Sequence, residues 1–178
     1  SDDATVTVTA TPKWTVSKAL LTAPIFHDDD ETYRITIAPN GVVGNLNLSN
    51  VTVTDTLPPG AVFVSVSANS GTQVFSLPVN AGEYFYDACN NTVTWGLGNL
   101  LVTGSNITRD VTVTYPVTDV TNNDTGMGPL PKTNEVDFVG TPVGLPEQTL
   151  TTSITNNLLP PVFATTLVKS PQDNRILP

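Results

Sequence analysis

The chain has 178 residues, enough to bury a core of its own, and carries a formal net charge of −9 with only 13% charged residues. Nucleic acid and anionic membrane surfaces both require clustered Lys or Arg, and seven such residues over the whole chain exclude both as partners. The missing charge is replaced by hydroxyl, 29 Thr and 10 Ser, and Thr favours pleated, half-buried surfaces over helices, so the composition points to an all-β protein.

Strict apolar–polar alternation predicts strands, in chain order, near 4–10, 13–21, 32–38, 50–56, 61–67, 91–96, 107–115, 133–139 and 148–155, with a candidate pair within 72–86. Breakers separate them, among them Pro39-Asn40-Gly41, Pro58-Pro59-Gly60 and the stretch 126–131. No window shows an apolar stripe at helical spacing. Many short strands with turn signals between them predict a sandwich. No apolar run reaches the roughly 20 residues that span a bilayer, so no membrane insertion is expected. No basic segment followed by an apolar one opens the chain, as in a removed leader or an internal piece. The single cysteine, Cys89, can form no internal disulfide.

The two ends resemble each other. Trp14-Thr15-Val16-Ser17-Lys18 follows a Thr-rich strand and a proline, and Thr165-Thr166-Leu167-Val168-Lys169 follows the Thr-rich strand 148–155 and Pro160-Pro161. On that alignment residues 1–10 correspond to the end of a preceding module, 11–157 to one complete domain, and 158–178 to a linker and the first strand of a following module. Chance similarity between Thr-rich strands is the alternative.

Four motifs in order carry a family resemblance: Thr32 to Ile37 leading to Asn40-Gly41; Val51-Thr52-Val53-Thr54-Asp55-Thr56-Leu57-Pro58-Pro59-Gly60 running into Val62-Phe63-Val64; Asn91 to Leu100; and Thr133-Asn134-Glu135-Val136. Over most of 13–155 the chain resembles the conserved-repeat module of prokaryotic surface proteins, long catalogued as domain of unknown function eleven. The resemblance implies an immunoglobulin-like antiparallel β-sandwich repeated in tandem in secreted or cell-wall proteins. Two stretches are longer than the family's connections, 68–90, with Tyr84, Phe85, Tyr86 and Cys89, and the Pro- and Gly-rich 116–132. These are the expected places for anything particular to this chain.

Side chains two apart share a face of a sheet. Trp14, Val16, Lys18 and Leu20 then share the buried face of the first strand, Val51, Val53, Asp55 and Leu57 that of another, and Asn134, Val136 and Phe138 that of a late one. A lysine, an aspartate and an asparagine aimed at one core must meet, because burying an unpaired ion costs several kcal/mol. Desolvation lowers a lysine pKa and raises an aspartate pKa, so such a pair can exist as neutral amine and neutral acid. This predicts an isopeptide bond from Lys18 to the Asn134 carbonyl with Asp55 as proton shuttle. The set of residue types is similar to the cross-link sites of Gram-positive adhesins and pilins. Two alternatives stand beside it: an ion pair with Asn134 merely hydrogen-bonded nearby, and a one-residue slip of register that would turn all three outward. Lys169 would be the corresponding lysine of a following module.

The acidic run His27-Asp28-Asp29-Asp30-Glu31 reads as a solvated turn with a weaker claim to calcium, as does the oxygen-rich loop of Asp119, Asn122, Asn123 and Asp124. His27 reads as a surface residue and Cys89 as an incidental thiol. Asn47, Asn50, Asn90, Asn106 and Asn123 open N-x-S/T sequons at close to chance frequency. No nucleophile, metal or cofactor constellation is visible, so no enzyme is expected. The expected function is a structural module of an extracellular surface protein, stalk, sheath or fibre, with neighbouring copies as partners through strand addition. The alternative is an adhesin domain that contacts glycan or protein through loops 68–90 and 116–132.

Overall fold

The computed structural model describes residues 13–39, 46–116 and 130–159. Its strands are β1 (Trp14–Leu20), β2 (Ile25–Phe26), β3 (Asp30–Pro39), β4 (Leu48–Thr56), β5 (Val62–Val66), β6 (Thr72–Val74), β7 (Glu83–Asp87), β8 (Thr92–Leu100), β9 (Ile107–Thr114), β10 (Leu130–Pro142) and β11 (Gln148–Leu159), with a single 3-10 turn at Ala68–Ser70. They form a four-stranded sheet in the order β1-β3-β9-β5 and a seven-stranded sheet in the order β2-β11-β10-β4-β8-β7-β6. All pairings are antiparallel except β2 with β11 and β6 with β7.

The alternating residues of the two sheets meet in the core. Tyr33, Ile35 and Ile37 of β3 and Val111 and Val113 of β9 are fully buried from one side, and Val53, Val93, Trp95 and Val136 from the other. Each such apolar side chain contributes about 1.5–3 kcal/mol by leaving water, which explains how a chain with no disulfide sustains the fold. The outward positions are hydroxylic: Thr54 pairs with Thr94 at 3.1 Å and Thr32 with Thr112 at 3.0 Å across neighbouring strands.

Every strand expected within the described residues is present, and the pair anticipated in 72–86 is the parallel β6–β7. The strand expected at 4–10, the repeat at 158–178 beyond Leu159 and most of the loop 116–132 lie outside the described residues. β2 is additional. It lets the chain leave the four-stranded sheet after β1 and join β11 of the other at Leu158↔Ile25. Glu31 holds this crossover, accepting hydrogen bonds from the Thr22 hydroxyl at 2.9 Å and from the Phe26 amide at 3.2 Å.

Residues 75–82, between β6 and β7, fold over the outer face of β8. Gly96 permits this: a Cβ there would stand 2.0 Å from the Asn80 carbonyl oxygen. The Gly82 amide donates to the Gly96 carbonyl at 3.0 Å, closing the contact.

Candidate functional site

β1 is held against β3 with Lys18 opposite Ile35, so the strand's alternation sends Lys18 into the core beside Ile35 and Tyr33. Its side chain has no exposed surface, and neither does that of Asp55. The Lys18 Nζ lies 2.5 Å from Asp55 Oδ1 and 5.6 Å from the centre of the Tyr33 ring. Lys18 belongs to one sheet and Asp55 to the other, so their contact crosses the sandwich.

Asp55 faces Val136 in the β4–β10 ladder. Asn134, two residues before Val136 on the same face, is therefore the diagonal neighbour of Asp55. Asn134 is fully buried, and neither its Oδ1 nor its Nδ2 has a hydrogen-bond partner among the described residues; the same holds for Asp55 Oδ2. Each orphaned polar atom costs about 1–3 kcal/mol. All three inward assignments match the structure, and the register does not slip.

Burial lowers the Lys18 pKa, against the opposing attraction of Asp55. Burial likewise raises the Asp55 pKa, against the opposing attraction of Lys18. Both shifts favour the neutral amine and the neutral acid. A neutral amine is a nucleophile, and a neutral acid within reach of an amide can donate to its oxygen.

A second polar group lies deeper than its sequence context indicates. The sequence places Glu31 in a solvated acidic turn, but it shares a face with Tyr33, Ile35 and Ile37 and is buried. Asp28, Asp29 and Asp30 do sit at the surface, whereas His27 is half-buried with its Nδ1 unpartnered among the described residues. Burial raises the Glu31 pKa, opposed by its hydrogen bonds from Thr22 and Phe26. The described residues contain no group of three or more His, Cys, Asp or Glu placed to hold a metal. Asp119 and Asn122 to Asp124 lie outside them.

Several other residues singled out in the sequence occupy ordinary surroundings. Cys89 is exposed in the β7–β8 turn, its amide bonded to Asp87 Oδ1 at 2.9 Å. Tyr86 stacks on Phe63 with ring centroids 4.3 Å apart and Tyr84 also packs against the core, whereas Phe85, half-buried, lies on the opposite face of the sheet. Asn47 uses its Oδ1 to accept the Val102 amide.

The sequence matches no protein-family model. No curated protein matches it. Among solved structures, the chain is similar to the full-length major pilin SpaD of Corynebacterium diphtheriae, with a TM-score of 0.53, 15% identity, and coverage of 80% of this chain and 34% of that one. The major pilin subunit BcpA of Bacillus cereus gives 0.50, 11%, 82% and 40%. The N-terminal domain of the Streptococcus gordonii adhesin Sgo0707 gives 0.50, 14%, 85% and 33%. The chain thus spans a third to two fifths of the length of these proteins. At such identities the likeness concerns architecture, and the protein is an immunoglobulin-like β-sandwich of the kind that Gram-positive pilins and adhesins are built from.

Proposed function

We propose that this protein is a structural module of an extracellular surface fibre, stalk or sheath, performing no turnover chemistry, whose one reaction is an internal cross-link between Lys18 and Asn134. The observation that carries it is the buried Lys18–Asp55 contact beside a buried asparagine whose amide has no partner.

The reaction balances without a co-reactant. The neutral Lys18 amine attacks the Asn134 side-chain carbonyl while Asp55 donates to its oxygen. Asp55 then relays a proton from the attacking nitrogen to the departing one, the carbon–nitrogen bond of the old amide breaks, and ammonia leaves. The new amide replaces two orphaned groups with one bonded unit.

Registration of the strands favours the pairing. Trp14 of β1 and Phe138 of β10 meet across the core. Lys18 lies four residues further along β1, and Asn134 four residues back along β10. More than 100 residues of chain lie between them, so a covalent link would stabilise the fold by about 5 kcal/mol through loop closure, as a disulfide does.

Intact mass under denaturing conditions tests the reading. A purified protein one ammonia lighter than its sequence, with the loss mapping to a peptide that joins Lys18 to Asn134, supports it. A protein at full sequence mass overturns the cross-link. Assembly through terminal strands belongs to the same proposal: β5 is an unpaired sheet edge among the described residues, with Val62 and Val64 exposed along it. A chain that stays monomeric at high concentration argues against that step.

A second reading, an adhesin domain, is favoured by one observation: within the long segment 68–90, residues 75–82 fold back over β8 and leave a cleft on the outer face of the larger sheet.

A further inference from the structure

We propose that this cleft, between residues 78–81 and the bulged ends of β4 and β8, is a binding site for an uncharged saccharide; the proposal rests on the adhesin reading and gives it a place and a ligand class.

The ladder between β4 and β8 breaks twice in succession, between Leu48 and Val51 and again between Val51 and Thr52. Two residues with positive φ mark the breaks, Asn50 at 52° and Gly98 at 71°. A left-handed asparagine in a strand is uncommon, and bulges of this sort re-aim side chains and recur beside functional sites. Here they open a cleft of about 490 Å³, within the range of small-molecule sites.

Its walls are held in place before any ligand arrives. The Asn80 amide and Nδ2 both donate to Glu83 Oε2, at 2.7 and 2.9 Å, and the Glu83 amide returns a bond to the Asn80 carbonyl at 3.1 Å. A Cβ on Gly98 would stand 2.7 Å from the Ala81 Cβ, so the close approach of the two walls depends on that glycine as it does on Gly96.

The chemistry of the lining selects the ligand. In a protein of net charge −9, no ionisable side chain lines the cleft. Asn50, Asn99 and Thr52 contribute two amides and a hydroxyl, whereas Pro78, Val79 and Ala81 supply apolar surface. A side-chain amide both donates and accepts, as does a sugar hydroxyl, and the carbon–hydrogen face of a pyranose packs on aliphatic groups. A charged ligand would find no counter-charge. Asn50 and Asn99 are exposed, and their side chains make no hydrogen bond within the described residues.

The test is a titration of the isotopically labelled full chain, followed by amide resonances, with N,N′-diacetylchitobiose, cellobiose and, as the charged comparison, a glucuronate-containing disaccharide. Saturable shifts of Asn50, Gly98 and Asn99 with a neutral sugar, weakened about tenfold by Asn50→Ala or Asn99→Ala and absent with the acidic one, support the site. Unchanged spectra elsewhere certify that the variants fold. If a neutral sugar binds but neither variant weakens it, the adhesin reading stands and this cleft is overturned as its site. If no neutral sugar on a broad glycan array binds the intact protein, both are overturned, and the cross-link is untouched by either result.

Discussion

Trp14 and Phe138 face each other across the sandwich with ring centroids 6.3 Å apart, and this contact fixes the level at which the polar cluster forms. Both strands alternate strictly from there, so the next inward positions but one are Lys18 on β1 and Asn134 on β10. The Trp14 Nε1 is itself satisfied by the Leu46 carbonyl at 2.9 Å, which pins the start of β1. An apolar contact thus sets the geometry of the chemistry.

Asp55→Ala removes both the polar partner of Lys18 in the core and the proton relay. The expected product stays at its full sequence mass and loses about 3–5 kcal/mol from the unpaired buried lysine, in addition to the tether. Mass spectrometry with urea denaturation checks both parts, and a variant that still loses ammonia would show that Asp55 is not the relay.

Replacing the buried pair altogether separates the cost of burying polar groups from the covalent link. Lys18→Met with Asp55→Leu places apolar groups of similar volume in the same space and is expected to be more stable than Asp55→Ala alone by at least about 3 kcal/mol, while still lacking the tether. The midpoints of urea unfolding for the two proteins give the answer.

Glu31 predicts a pH dependence. Its folded pKa is raised, chiefly by burial, so the folded state holds the proton more tightly than the unfolded chain. The contribution to stability is then full below the ordinary glutamate value and declines as pH rises through the folded value. Glu31→Gln keeps the Phe26 and Thr22 contacts within reach and removes this decline. Unfolding free energies measured across mildly acidic to neutral pH should fall less steeply with pH in the variant than in the parent.

Gly96→Ala introduces a methyl group into a contact with backbone rather than with a movable side chain. The covering segment must shift, and the expected cost is about 1–3 kcal/mol. Hydrogen exchange should show protection lost at Gly82, whose amide bonds to Gly96, while the far sheet is unaffected.

The inward placement of Lys18, Asp55 and Asn134 was legible because a two-residue period admits only two faces, and apolar neighbours on each strand named the buried one. The same rule applied to Glu31-Tyr33-Ile35-Ile37 would have found the buried glutamate; the preceding acidic residues masked it. β2 is two residues long and pairs in parallel, so no alternation announces it. Gly96 and Gly98 inside a strand were a usable sign of close backbone approach. That residues 78–81 make the approach depends on contacts distant in sequence, which no local pattern encodes.

The strand order also has a mechanical meaning. β1 begins at the Phe138 level of β10, and β11 ends beside Leu130, eight residues away along the same strand, about 27 Å at the rise of a β-strand. Tension applied between Trp14 and Leu159 therefore acts along the strands, in shear, where many hydrogen bonds must rupture together. A bond between Lys18 and Asn134 would carry that tension past β2 to β9, leaving in the load path only the first residues of β1, the part of β10 beyond Asn134, and β11.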